Sequence, residues 1–280
     1  MDWDKAKNIL IVMLLMLNIF LGILTYLNSP RYSVAAEQEK AILDVLAQNN
    51  IEWNAVLPKR FEPLANILLT VHREDADALA AVFFKEAETV SRVDTDERAV
   101  LIQGAASLIV ENGGFRYDNL NGMAGTAGQG AEACGRIMGD LTQLSGFVPD
   151  ETETGTRVAV YRQMYKDRLI YTNYVVFTMS DEGIVSVNCQ YNQPAGFSAK
   201  HEIIPPDEAA FILMNKLKNM YGGAPVAIDE MDLVFLRRDD PAEEMETERA
   251  TPYYRFYVRE LTNGPLQPPF FVNSYTGAVE

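Results

Sequence analysis

Cysteine and histidine are both scarce in this sequence. Its 280 residues include two cysteines, Cys134 and Cys189, and two histidines, His72 and His201. Two cysteines cannot build a disulfide framework, and neither histidine stands in an HExxH or HxH spacing or beside a cysteine pair. The scarcity argues against a zinc site and against a small disulfide-stabilised domain.

The two cysteines leave one question open. Cys134 shares the apolar face of a predicted helix, and Cys189 alternates with apolar residues in a predicted strand. Both side chains are therefore predicted to point inward. They are either two buried free thiols or the two ends of one disulfide, because a single bridge is feasible outside the cell.

Catalytic motifs are missing as well. The sequence has neither the GxSxG pattern of serine hydrolases nor an SxxK pair. The Gly-rich stretch 121–130 lacks the GxxxxGK and GxGxxG spacings that hold phosphates, so we interpret it as a linker or loop. We predict that the protein is not an enzyme and that it uses no cofactor, metal or small-molecule substrate.

Positive charge is in the minority. Lysine and arginine number 24 against 39 aspartate and glutamate residues, and the formal net charge is −15 at pH 7. Residues 1–27 are neutral in sum, so the rest of the chain carries the excess. Such a surface repels nucleic acid. The densest acidic run, 239–248, lacks the spacing of a calcium loop and is predicted to be a solvated hairpin loop.

One long apolar run stands near the amino terminus. Residues 9–27 contain no charged side chain and are interrupted only by Asn18, Gly22, Thr25 and Tyr26. At about 1.5 Å per residue, a helix of this length crosses a hydrocarbon core of roughly 30 Å. The run therefore predicts a single-pass transmembrane helix.

The charges that flank this run predict its orientation. Two lysines and the amino terminus precede it, whereas acidic residues accumulate from Glu37 onward. This bias favours a cytoplasmic head, residues 1–8, a hinge, residues 28–36, and an extracytoplasmic domain beyond. The alternative is a cleaved signal peptide, because Ser33–Ala36 offers small residues for cleavage.

The polar residues of the run predict a contact inside the membrane. Asn18, Gly22 and Thr25 fall on one helical face, where the amide can bond to a partner helix and the glycine allows close approach. The alternative is that a very apolar helix simply tolerates one asparagine. Trp3, in the head, is predicted to fix the depth of the helix at the membrane interface.

The remaining chain predicts an α+β fold of antiparallel sheets with flanking helices. Alternating and helical apolar spacings suggest two similar helix-plus-meander lobes, 37–120 and 131–280. Within the first lobe, 99–110 reads as one strand with a bulge at Gly104. Within the second lobe, a helix is predicted to begin with Asp207 as its N-cap.

The amino-terminal segment also carries a resemblance. It reads MDWDKAKNILIVMLLMLNIFLG: Met-Asp-Trp, a Lys-x-Lys pair, and an apolar run with an asparagine before Ile-Phe-Leu. This pattern resembles the YycI-type regulators of the YycH/YycI family, membrane-anchored accessory proteins of the WalK/YycG cell-wall sensor histidine kinase in Gram-positive bacteria. Beyond it, the similarity is one of general layout and of a closing Asn273-Ser-Tyr-Thr-Gly277.

The resemblance implies a function but no catalytic residue. It implies that the anchor helix and the outer domain contact the sensor histidine kinase and a sister regulator of the same family at the cell membrane. A hypothesis from another class is an anchored cell-surface ligand-binding module or protease-inhibitor-like protein. The sequence leaves the sign of regulation open.

Overall fold

The fold is a mixed α+β arrangement dominated by one large sheet. A computed structural model describes residues 7, 11–21, 32–84, 89–237, 247–261 and 267–280. In these residues, 14 mainly antiparallel strands form the sheet, and helices pack against it. The predicted α+β class, with antiparallel strands and flanking helices, is confirmed.

Helices and strands alternate in groups along the chain. The helices are α1 (Ala36–Gln48), α2 (Ala76–Phe83), α3 (Gly130–Asp140) and α4 (Pro206–Tyr221). The first seven strands are β1 (Ile51–Trp53), β2 (Leu64–Val71), β3 (Ser91–Asp94), β4 (Arg98–Gln103), β5 (Ala106–Glu111), β6 (Gly114–Asn119) and β7 (Phe147–Pro149). The other seven are β8 (Val158–Tyr165), β9 (Arg168–Ser180), β10 (Gly183–Gln190), β11 (Asn192–His201), β12 (Val226–Arg237), β13 (Thr247–Glu260) and β14 (Phe270–Asn273).

The sheet joins strands that are distant in sequence. Its main path runs β11-β2-β13-β12-β9-β10-β6-β5-β4-β3, and β1, β7, β8 and β14 pair beside this path. Among the described strands, only β1 with β12 and β9 with β12 pair in parallel. The β9–β12 ladder is short, with Val234 opposite Leu169 and Phe235 opposite Ile170. This ladder is where two groups of strands meet.

Two hydrophobic cores lie on either side of that junction. The split core gathers buried residues from 34–69 and 203–272, with Ile170, whereas the continuous core takes its buried residues from 76–191. The predicted lobe bounds, 37–120 and 131–280, do not coincide with these cores. Each predicted lobe contributes to both cores, because β2 pairs with β11 and β13 rather than with its neighbours in sequence.

The Gly-rich segment 121–130 belongs to the continuous core. Met123 and Thr126 are buried there. The backbone N–H of Ile184 donates to Thr126 Oγ1 over 2.9 Å, and the N–H of Met123 donates to the Ile184 carbonyl over 2.8 Å. The segment is a loop that these two hydrogen bonds join to β10.

Two local predictions also need correction. Gly104 is not a bulge, since residues 99–110 form two strands joined by a turn at Gly104, whose φ of +59° is the left-handed conformation that glycine adopts at low cost. Asp207 is not the N-cap, because α4 begins at Pro206 after Pro205. A proline in the first turn has no N–H to leave unsatisfied, so no side-chain cap is needed at that position.

The apolar run is described only in part. Residues 11–21 are helical, and every apolar side chain among them is half or more exposed. Among the described residues, no helix combines the length and the apolar character that crossing a membrane requires. Positions 9–10 and 22–27 of the predicted span lie outside the described residues, as do 239–246 of the acidic run.

Candidate functional site

The helical segment 11–21 presents an apolar surface on every side. Its leucine, isoleucine, valine, methionine and phenylalanine side chains are all exposed, so none is buried against the rest of the described chain. A helix that is apolar all round is normally covered, either in a protein core or by lipid. The segment is therefore a surface that needs a partner, whether lipid or protein.

Asn18 is the one polar side chain of this segment. Its Nδ2 donates to the carbonyl of Leu14 over 2.9 Å, within the same helix. An amide has two N–H groups and a carbonyl oxygen, so this bond leaves capacity for a partner. Gly22, Thr25 and Trp3 lie outside the described residues, and the predicted face Asn18-Gly22-Thr25 stays a prediction.

A buried network of charged and aromatic side chains lies where the two cores meet. We call it the junction network, and it consists of Asp150, Glu153, Arg162, Tyr171, Asp232, Arg255 and Tyr257. The first four come from the segment between β7 and β9, and the last three come from β12 and β13. The network therefore connects the continuous half of the molecule to the split half.

Arg255 links carboxylates from both halves. Its Nε and Nη2 donate to the two oxygens of Asp232 over 2.9 and 2.6 Å, and its Nη1 donates to Asp150 Oδ2 over 3.0 Å. Burial acts to lower the pKa of this guanidinium, but the bonds to Asp232 and the nearby negative charges outweigh burial and raise it. Arg255 is therefore a permanent cation that joins two strands and a loop.

Arg162 and Glu153 complete the network. Arg162 lies 3.4 Å from Asp150 Oδ2 and 3.6 Å above the Tyr171 ring, and it also bonds to the Glu153 carboxylate. Glu153 Oε1 accepts hydrogen bonds from the hydroxyls of Tyr171 and Tyr257 over 2.6 and 2.8 Å. Burial raises the pKa of both tyrosines, so they stay protonated at neutral pH. The network therefore holds its side chains in a fixed arrangement and is poorly suited to proton transfer.

The residues that the sequence singled out for metal or thiol chemistry do not form a site. Within the described ranges, no three metal-ligating side chains come together. Cys134 and Cys189 are both buried free thiols, so the alternative of a disulfide between them is not realised. Burial raises the pKa of Cys134 to about 11 and also raises that of Cys189, which makes both thiols unreactive.

Glu74 is an unusual residue that sequence reasoning missed. It is 5% exposed, and its Oε1 has no hydrogen-bond partner among the described residues. Burial raises the pKa of this carboxyl, and the charge of His72 opposes the change. In the sequence, Glu74 looks like one more surface acid before α2, so no pattern signals its burial.

The concave surfaces in the described part of the chain include a cavity and a groove. A cavity of about 580 Å³ lies beside the end of α2, with Phe83, Phe84 and Tyr117 at its base, and Gln103 and Asn119 also line it. A groove of about 340 Å³ lies between α1 and α4. The three rings at the base of the cavity are buried, so they offer little surface for stacking. The groove, in contrast, exposes an aromatic side chain.

Comparison with known proteins supports the fold and leaves the function open. No family model matches the chain, and no curated protein matches it. Among solved structures, the fold is similar to that of an uncharacterised protein from Eubacterium rectale ATCC 33656, with a TM-score of 0.52 and 12% sequence identity. The match covers 82% of this chain and 88% of that one. At this identity, the likeness shows a shared fold alone.

Proposed function

We propose that this protein is a membrane-anchored accessory regulator of a sensor histidine kinase that controls cell-wall metabolism. The observation that carries the proposal is the helical segment 11–21, which is apolar on every side and uncovered by the rest of the described chain. Lipid can cover most of such a helix, and a partner helix can cover the face with Asn18. The identification of the partners as a sensor kinase and a sister regulator rests on the resemblance of the amino-terminal segment.

The proposed topology follows from the same segment. Residues 9–27 form a single membrane-spanning helix, residues 1–8 lie in the cytoplasm, and the α+β domain lies outside the cell at the membrane. Trp3 sits at the cytoplasmic interface, and Asn18, Gly22 and Thr25 face the partner. This proposal retains two similar helix-plus-meander lobes, 37–120 and 131–280, as parts of the outer domain that contacts the kinase.

Regulation in this proposal works by contact. A regulator that binds one conformation of a kinase more tightly than the other shifts the balance between them. The junction network supports this view, since it holds both halves of the outer domain in one arrangement with its buried charges paired. A rigid outer domain on a membrane helix transmits its position directly to a neighbouring membrane protein.

Co-purification tests the proposal. The full chain is crosslinked in its own membranes and isolated, beside an Asn18→Leu variant and a Met16→Leu control that changes the opposite side of the same helix. We expect a sensor histidine kinase and a sister regulator to be recovered with the wild type and the control. Recovery should fall about tenfold for Asn18→Leu, which equals the loss of roughly 1.4 kcal/mol of contact energy. Recovery of neither protein from a well-expressed chain contradicts the proposal.

The second candidate function is an anchored ligand-binding module. The cavity beside α2 favours it, because its volume of about 580 Å³ is within the range of small-molecule sites. Replacement of residues 9–27 by an unrelated membrane helix separates the two candidates. A binding module keeps its function after the exchange, whereas a regulator that contacts its kinase through the helix loses it.

A further inference from the structure

A groove lies between α1 and α4. Its walls are Ala41, Ile42 and Val45 from α1 and Asp207, Glu208 and Phe211 from α4. The three α1 positions follow the spacing of one helical face, as do Asp207 and Phe211 on α4. Two helices therefore present matched faces to the space between them.

The floor of the groove is apolar and incompletely covered. Ile42 is buried, but Ala41 is exposed, and Phe211 keeps 46% of its surface accessible although it lies beside α1. An aromatic side chain left open in a concave surface is the usual anchor of a protein interface. The apolar floor therefore suits the anchoring side chains of a partner helix.

The rim of the groove is acidic. Asp207 and Glu208 line it, and Glu37 and Asp44 are exposed on the adjoining face of α1. None of these four carboxylates forms an ion pair with another described residue. Asp207 Oδ1 is buried and has no hydrogen-bond partner in the described part of the chain, so Glu37, Asp44 and Glu208 supply the exposed charge of the rim. The rim therefore offers unpaired negative charge to an occupant.

Two lysines of these helices, Lys40 and Lys218, are directed away from this rim. Lys218 lies further along α4, where its Nζ donates to Asn49 Oδ1 over 3.2 Å. Lys40 points away from the groove, because its side chain lies roughly on the opposite side of α1 from the lining residues. A second copy of this chain is a poor occupant, since each copy carries a net charge of −15 and the two repel one another.

We propose that this groove binds a basic amphipathic helix of a neighbouring membrane protein. An apolar groove with an acidic rim complements a helix whose apolar residues recur at i, i+3, i+4 and i+7 and whose other face is cationic. The membrane location of the partner rests on the proposed function. Ala36, where α1 begins, follows the proposed membrane helix by nine residues, which keeps α1 within roughly 30 Å of the membrane surface.

The test uses a defined peptide and the full chain in lipid nanodiscs. The probe is a synthetic helix with leucines at the i, i+3, i+4 and i+7 positions and lysines elsewhere, and the comparison peptide carries glutamates in place of lysines. We expect the lysine peptide to bind the wild type, with an affinity that falls as salt rises, and the glutamate peptide not to bind.

Two variants and a control locate the binding. Phe211→Ala should weaken binding about tenfold, since it removes the exposed anchor. Glu208→Gln should weaken binding less and reduce its dependence on salt. Met220→Ala is the matched control, because Met220 is 58% exposed on the same helix outside the groove, and it should bind like the wild type.

Several results would overturn the proposal. They are failure of the lysine peptide to bind, equal binding of the two peptides, or Phe211→Ala binding like the wild type. A dimer in light scattering that Phe211→Ala dissociates would make the groove a self-interface and overturn the proposal as well. These results are independent of kinase co-purification, so failure of the groove and failure of the proposed regulatory function are distinguishable.

Discussion

The two cores of this protein are built from the chain in different ways. The continuous core uses one uninterrupted stretch, 76–191, in which hairpins such as β4–β5 and β9–β10 pair neighbours in sequence. The split core brings together residues from before and after that stretch, through pairs such as Leu64 with His201. The middle of the chain is in effect inserted into the fold formed by its two ends.

As a result, the groove between α1 and α4 lies in the split half and not in the inserted half. The split half contains α1 and α4, and α1 is the first helix after the apolar segment 11–21. The continuous half contains both cysteines and the Gly-rich loop. The short β9–β12 ladder and the junction network are the most direct connections between the two halves. Movement of the inserted half can reach the split half through these connections.

The largest expected effect comes from breaking the junction network. Arg255→Ala removes the shared cation and leaves Asp150 and Asp232 without it, and we expect a loss of about 3–5 kcal/mol of unfolding free energy. Trp53 fluorescence reports on the split core, and thiol labelling of Cys134 and Cys189 reports on the continuous core. In a urea titration of the variant, the fluorescence transition and the thiol-labelling transition should occur at different urea concentrations.

The control for this experiment lies on the same strand. Arg259 pairs with Asp229 in a more exposed position, so Arg259→Ala should lower the unfolding free energy far less than Arg255→Ala does. In the Arg259→Ala variant, the fluorescence and thiol-labelling transitions should occur at the same urea concentration. Equal destabilisation by both substitutions would show that the junction network has no special role in coupling the cores.

A matched pair of core substitutions has the next effect. Leu213 in α4 and Leu108 in β5 are both fully buried, one in each core. Each change to alanine should cost about 2–5 kcal/mol, because it removes buried methyl groups and leaves a cavity. Leu108→Ala should accelerate thiol labelling more than Leu213→Ala, and the reverse order should hold for the change in Trp53 fluorescence. Identical effects on both probes would mean that the cores unfold as one unit.

The smallest effect concerns the unpaired carboxyl of Glu74. Burial raises its pKa above the ordinary value of 4.5. The unfolded chain releases this proton at lower pH than the folded chain, so stability falls as pH rises from 4.5 to the folded-state pKa and stays low above it. Glu74→Gln should raise the unfolding free energy at pH 7 by about 1 kcal/mol and flatten this part of the pH profile. An unchanged slope between pH 4.5 and 7 would contradict the account.

Local sequence patterns account for most helices and hairpins. The alternating apolar residues of β8 and β9, the turn at Asn112-Gly113, and the left-handed Gly222 after α4 all act within a few residues, so their effect can be read along the chain. The strand β11 was not predicted, because Asn192–His201 is mostly polar and contains Pro194 and Gly196. It forms because β2 offers a pairing edge from far away in sequence.

The junction network and the groove depend on distant pairs. Asp150 and Arg255 are separated by 105 positions, and nothing in the local sequence of either residue distinguishes it from a surface charge. The groove likewise needs α1 and α4 side by side, and no periodic pattern specifies which helices pack together. The scarcity of cysteine and histidine, in contrast, is visible in the composition, and it alone argued against a zinc site and a disulfide framework.

A crosslinking scan of residues 11–21 tests the central claim most directly. A photoreactive residue is placed at each position of the full chain in its own membranes, and crosslinks to the sensor histidine kinase are counted. The account predicts a helical period with maxima at Leu14, Asn18 and Leu21 and minima at Met13, Met16 and Phe20. Crosslinks to lipid at every position, with no crosslink to a kinase at any position, would contradict the proposed contact.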